Sequence, residues 1–108
     1  MIGRALLMLL PLPVIIGCAS HYTKVSNDTL QLYLRQSQAE SVLFACSLEG
    51  FKPRPADQID SQLWMVSTKA DETFRYFYIV DGNVFTPPCR FKENDDFGHE
   101  DCIYVPGL

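Results

Sequence analysis

The most polar stretch of the chain, residues 93–101, contains the residue types that acid–base or metal chemistry uses. Its carboxylates are Glu93, Asp95, Asp96, Glu100 and Asp101, and His99 lies among them. Hard cations such as Ca²⁺ bind several oxygen ligands. The stretch nevertheless lacks the spacing of acidic residues that defines an EF-hand loop. We therefore interpret it as a solvated loop and predict no metal site.

Cys46 and His99 are the residues that a nucleophilic enzyme would use, since a thiol is activated by a neighbouring base. Nothing in the local sequence supports such a pair, and neither a G-x-S-x-G nor an H-E-x-x-H motif occurs. No C-x-x-C pair is present either, which argues against zinc. We predict a protein that is not an enzyme, needs no cofactor and has no evident small-molecule substrate.

The first twenty residues have the pattern of an export signal. Arg4 precedes an apolar run over residues 5–16, and Gly17-Cys18 follows it. The run is shorter than the roughly 20 residues that a spanning helix needs, and its two prolines would break a helix. A basic start, a short apolar segment and a small residue are typical of a signal peptide. A small residue directly before a cysteine at this place resembles the lipobox of bacterial lipoprotein precursors.

The resemblance implies that Cys18 is acylated and becomes the N-terminus of the mature protein. Each buried methylene contributes about 0.8 kcal/mol, so several acyl chains give a durable anchor. Ala19, rather than Asp, follows the cysteine, which by Gram-negative sorting rules favours the outer membrane, facing the periplasm. We expect a signal peptide over 1–17, a lipidated N-terminus and polar tether over 18–27, and one small globular domain over 28–108.

Three further cysteines, Cys46, Cys89 and Cys102, follow the export signal. Disulfides persist in an oxidising compartment, and three thiols form one bridge and leave one over. We favour Cys89–Cys102 because both lie in the loop-rich C-terminal third. The alternative pairs Cys46 with Cys89 or with Cys102.

The charge of the mature chain restricts its partners. Removing residues 1–17 leaves 91 residues with 8 basic and 13 acidic side chains, a net charge of −5. Nucleic-acid binding requires clustered basic residues, and here they are scattered. We expect no nucleic-acid partner, a membrane contact through the N-terminal lipid, and a protein partner in the envelope.

Residues 28–50 carry signals for both helix and strand. Leu30, Leu32 and Leu34 alternate with polar or aromatic residues, as in a half-buried strand, yet the segment 29–36 stays undecided. Residues 37–40, Ser-Gln-Ala-Glu, fit a capping box, and Gly50 is a typical helix stop. The apolar residues that recur at helical spacing are Ala39, Val42, Leu43 and Cys46. We predict a helix over 38–49; a strand is the competing interpretation.

The second half of the domain has strand signals. Residues 63–68, 73–80 and 83–86 are rich in β-branched and aromatic residues. Asp81-Gly82 between the last two matches a two-residue hairpin turn. A last short strand is predicted over 103–105, with residues 90–101 as a loop.

These elements predict an α+β domain, in which one helix packs on a small antiparallel meander built from residues 62–86. The alternative is an all-β sandwich or small barrel. Phe74, Tyr76 and Tyr78 lie on one face of the aromatic strand, and large exposed apolar residues often mark partner sites. We predict a binding patch on these three residues.

The leading functional hypothesis is a non-enzymatic binding or assembly module, anchored at the periplasmic face of the outer membrane. The alternative is an inhibitor or immunity protein against a cell-wall hydrolase such as lysozyme. A loop closed by a disulfide loses little freedom on binding, and the acidic residues 93–101 would complement a basic enzyme.

Overall fold

The computed structural model describes residues 20–94 and 98–108. Within these ranges the chain forms a short 3₁₀ turn over Ser47–Glu49, no α-helix, and ten strands: β1 His21–Ser26, β2 Thr29–Arg35, β3 Val42–Cys46, β4 Arg54–Pro55, β5 Asp57–Gln58, β6 Leu63–Lys69, β7 Phe74–Val80, β8 Asn83–Phe85, β9 Lys92–Asn94 and β10 Glu100–Tyr104. No helix in the described part of the chain is therefore long or apolar enough to cross a membrane. The predicted signal peptide and Cys18 lie outside the described residues.

Four antiparallel strands form the first sheet, sheet A, in the order β1-β2-β6-β5. The alternating leucines of β2 fix its register, because Leu30, Leu32 and Leu34 all point into the core. A tight turn joins β1 to β2, with Asn27 at a φ of 57°, a conformation that Asn tolerates better than most residues. Residues 21–26, which we had placed in a polar tether, are thus an edge strand of the domain.

The second sheet, sheet B, has the strand order β4-β3-β7-β10-β9, and β8 pairs with β7. The β7–β8 hairpin pairs Val80 with Asn83 across the turn Asp81-Gly82. Both turn residues have positive φ, 49° and 85°, which matches the twist that a two-residue hairpin turn requires. The predicted hairpin is confirmed.

The prediction of an α+β fold is wrong, because no helix forms over residues 38–49. Residues Val42–Cys46 instead form β3, which pairs with both β4 and β7. Leu43 and Ala45, on the face away from the core, are also apolar, so the strand shows no alternation of apolar and polar residues. The fold is all-β, with two antiparallel sheets.

The predicted meander over 62–86 is also wrong. β6 pairs with β2 and β5 in sheet A, whereas β7 pairs with β3, β10 and β8 in sheet B. The four residues between β6 and β7 therefore cross from one sheet to the other. A short polar connection can join two paired strands of a hairpin or two strands of different sheets. Only the pairing of β6 and β7 with distant strands distinguishes the two cases.

The core lies between the facing sides of the two sheets, as in a sandwich. Sheet A contributes Leu30, Leu32, Leu34, Trp64 and Val66, and sheet B contributes Val42, Phe44, Cys46, Phe74, Tyr76, Tyr78 and Cys102. Each strand therefore presents a second row of side chains on the outside of the sandwich. We call these rows the outer face of sheet A and the outer face of sheet B.

Candidate binding surfaces

The predicted patch of Phe74, Tyr76 and Tyr78 is not on the surface. The three residues are only 2%, 3% and 1% exposed, and their rings pack on one another and on Phe44. Burial raises the pKa of Tyr76 and of Tyr78, so both hydroxyls stay protonated. The prediction of an exposed patch on these residues is therefore corrected: they form the centre of the core.

The opposite side of the same strand supplies an apolar outer face on sheet B. Phe77 and Ile79 alternate with the core tyrosines, and Ile79 lies between Leu43 of β3 and Val84 of β8. Val84 is 45% exposed. Phe51, from the loop after β3, stacks on Phe77 with ring centroids 5.7 Å apart. The result is a continuous apolar surface across three strands.

A single arginine interrupts this surface. Arg75 lies beside Ile103 of β10, and its guanidinium is 5.5 Å from the centre of the Phe51 ring, within the range of a cation–π contact. Its Nη1 atom also lies 3.9 Å from Oδ2 of Asp101, whose side chain is buried. The outer face of sheet B thus combines apolar side chains with one oriented cation, a composition that suits contact with another protein.

The outer face of sheet A has a different composition. The rings of Tyr22 and Tyr33 stack on neighbouring strands with centroids 4.8 Å apart, and Nζ of Lys24 lies 5.4 Å from the Tyr33 centroid. Met65 is paired with Tyr33, and Leu63 with Arg35. Aromatic hydroxyls and basic groups therefore border the apolar side chains of this face.

Cys46 has no feature of an activated nucleophile. Its side chain is fully buried in the core, and burial raises the pKa of the thiol, whereas a reactive cysteine needs a lowered pKa. His99 is exposed and directly precedes β10. Among residues 20–94 and 98–108 no group of three His, Cys, Asp or Glu side chains is arranged to hold a metal ion.

The Cys89–Cys102 pair forms a disulfide, with sulfurs 2.06 Å and Cα atoms 6.0 Å apart. The segment that it closes contains the β9–β10 hairpin, where we had predicted a loop, and Lys92 of β9 lies 3.8 Å from Glu100 of β10. Part of the acidic stretch is therefore a paired strand rather than a solvated loop; residues 95–97 lie outside the described residues.

His21 joins the two sheets through a contact that no sequence pattern predicts. Its Nε2 atom is 3.1 Å from the hydroxyl oxygen of Tyr78, and its ring packs against the Tyr76 ring. Burial lowers the pKa of His21 to about 4, since a charged imidazole is poorly solvated there. His21 is therefore neutral at physiological pH and fastens β1 onto sheet B.

Comparison with known protein families gives no match for this chain, and no curated protein matches it either. The surfaces must therefore be interpreted from their own chemistry. The sequence did contain one signal for the outer face of sheet B: a charged residue, Arg75, shares a strand face with Phe77 and Ile79, and charge at one position of a strand face indicates the solvent side.

Proposed function

We propose that this protein is a lipoprotein anchored to the periplasmic side of the outer membrane, and that its domain is a non-enzymatic module that binds another envelope protein. The membrane attachment rests on the sequence pattern that ends in Cys18. The protein contact is assigned to the outer face of sheet B.

The observation that carries the binding role is the chemistry of that face. Phe77 and Ile79 lie partly exposed at its centre, with Val84, 45% exposed, at its margin, and neighbouring exposed apolar side chains often mark a partner site. Arg75 supplies a cation at one end of the apolar row, which would orient a partner that carries a carboxylate or a backbone carbonyl at the matching place.

The anchor is tested by labelling cells with a palmitate analogue. The wild-type chain should carry the label and fractionate with the outer membrane, whereas the C18S variant should carry none and leave the membrane fraction. An unlabelled wild-type product, or a C18S variant that still fractionates with the membrane, would refute the anchor.

The binding face is tested by placing a photoreactive amino acid at Val84 in the full-length protein in cells. Val25 is the matched control, since it is also an exposed valine, at 58%, but lies on β1 of sheet A. We expect one discrete protein adduct from position 84 that mass spectrometry identifies, and none from position 25. Equal adducts from both positions, or none from either, would contradict the assignment.

A second candidate function, inhibition of a cell-wall hydrolase, is favoured by the β9–β10 hairpin. The Cys89–Cys102 disulfide restrains it, and the exposed carboxylates of Glu93 and Glu100 would face a basic enzyme. Lysozyme activity measured with micromolar protein tests this role. An absence of inhibition removes it and leaves the binding proposal intact.

A further inference from the structure

The described part of the domain begins two residues after Cys18, the proposed site of acylation. The carbonyl oxygen of Ser20 accepts a hydrogen bond from the Arg35 amide at 2.9 Å, so Ser20 already belongs to the edge of sheet A. Only Ala19 separates it from Cys18. Two residues span at most about 7 Å, so this corner of sheet A lies within that distance of the lipid-bearing residue.

The surface next to this corner is the outer face of sheet A. Tyr22 lies two residues after Ser20, and its ring stacks on Tyr33. Arg35 and Leu63 form the next paired row, directly beside the Ser20 contact. Tyrosine rings and long basic side chains are the groups that settle at a membrane–water interface, because each has an apolar body and a polar end.

The charges of this face are unevenly distributed across its strands. Lys24 and Arg35 lie on β1 and β2, the strands next to the anchor. Lys69 of β6 lies 3.8 Å from Glu72, and Asp57 and Asp60 lie on or beside β5, the edge farthest from the anchor. Basic groups near a membrane surface are attracted to anionic headgroups. The distribution therefore favours the β1–β2 side of the face as the part nearest the lipid.

We propose that the outer face of sheet A lies on the lipid surface, with Tyr22 and Tyr33 at the level of the headgroups. This inference rests on the proposed acylation of Cys18. With the domain seated in this way, the outer face of sheet B, on the other side of the sandwich, faces the periplasm. One side of the domain contacts lipid and the opposite side remains free for a protein partner.

The test uses the mature acylated protein in vesicles of phosphatidylethanolamine and phosphatidylglycerol. A photoreactive phenylalanine derivative replaces Tyr33 in one sample and Phe77 in the other; both residues are partly exposed aromatics, so the exchange preserves packing. After irradiation, we expect the yield of lipid adduct to be at least tenfold higher from position 33. The same group at Tyr22 gives a second measurement, with Val84 as its control.

Several outcomes overturn the inference. Equal yields from positions 33 and 77, or a higher yield from 77, would show that the domain is not seated on sheet A. A protein adduct from position 33 would show that a protein covers this face instead. Intact-mass measurement of the same samples separates the two proposals: acylated protein without lipid adducts refutes only the orientation, whereas protein without acyl chains refutes the anchor and the orientation with it.

Discussion

The two outer faces of the sandwich differ in chemistry, although their inner faces are alike. Toward the core, both sheets present mainly apolar side chains. On the outside, sheet B presents Phe77, Ile79 and Val84 with one arginine, whereas sheet A presents stacked tyrosines beside Lys24 and Arg35. Phe51 and the 3₁₀ turn over Ser47–Glu49 cover only part of the outer face of sheet B, around Phe77 and Arg75.

The difference is explained if the two faces meet different surroundings. Tyrosine and basic side chains keep a polar end, so they suit a boundary between lipid and water. Phe77 and Ile79 have no polar end and gain most from contact with another apolar surface. Under the proposed function, one small domain would contact the membrane with one face and a partner protein with the other.

The largest expected effect tests which side of sheet B faces the core and which side is the outer face. Phe44 is fully buried, and Phe→Ala changes in a core cost about 3–5 kcal/mol. Phe77 lies on the outside, is only partly buried and stacks on Phe51, so Phe77→Ala should cost less, about 1–2 kcal/mol for the lost area and the lost aromatic pair. Urea unfolding of F44A and F77A measures both; similar losses would contradict the assignment.

The next largest effect is the loss of the disulfide, which should destabilise sheet B before sheet A. Reducing the Cys89–Cys102 disulfide, which joins residues 13 apart in sequence, should lower the free energy of unfolding by about 3 kcal/mol. Hydrogen exchange should accelerate at the Ile103 amide, which donates to the Phe91 carbonyl, before it changes in β2. The C89A/C102A double variant is the control, since its stability should not respond to reductant.

A smaller effect tests the contact between the sheets. The pKa of His21 is lowered from 6.5 to about 4 in the folded protein, so the unfolded chain takes up the proton first as pH falls. The contribution of neutral His21 to the free energy of unfolding is therefore complete above about pH 6.5 and is lost as pH falls toward 4. We expect the free energy of unfolding to fall by about 2 kcal/mol. This is less than the whole pKa shift would give, because solvent reaches the edge strand and weakens the effect.

His21→Phe is the matched variant for this measurement. It keeps a ring against Tyr76 but cannot titrate, so its stability should lack the part of the pH dependence that His21 contributes. Unfolding curves of the two proteins between pH 7 and pH 4 provide the comparison. Parallel pH profiles would show that His21 does not hold β1 to sheet B.

Local patterns in the sequence predicted strands that are rich in β-branched and aromatic residues, and a hairpin turn that requires positive φ. The strands containing Trp64 and Tyr76 were predicted from their composition, and the turn at Asp81-Gly82 from its need for positive φ. The helix prediction over residues 38–49 failed because Leu43 and Ala45, on the outer side of β3, are as apolar as its core residues. Without alternation, an apolar run of this length fits a helix or a strand equally well.

The outer faces were harder to predict than the strands that carry them. Both sides of β7 are rich in aromatic residues, so periodicity identifies two faces without saying which one is buried. The pairing of β6 and β7 with different sheets is a long-range property that no local signal encodes. The same holds for His21: its position in the sequence predicts a place in the polar tether, and only its long-range contact with Tyr78 shows that it packs against the core.

The smallest effect concerns how β8 presents Val84 on the outer face of sheet B. Gly82 has a φ of 85°, where a side chain is strained even though nothing lies within 4 Å of an added Cβ. Gly82→Ala should therefore cost about 1 kcal/mol from backbone strain alone. If Val84 contributes to binding, the same variant should also weaken the photo-adduct from position 84, because the turn fixes the pairing of Ile79 with Val84. If the adduct is unchanged although stability falls as expected, the β7–β8 turn does not contribute to binding, and the contact is limited to β3 and β7.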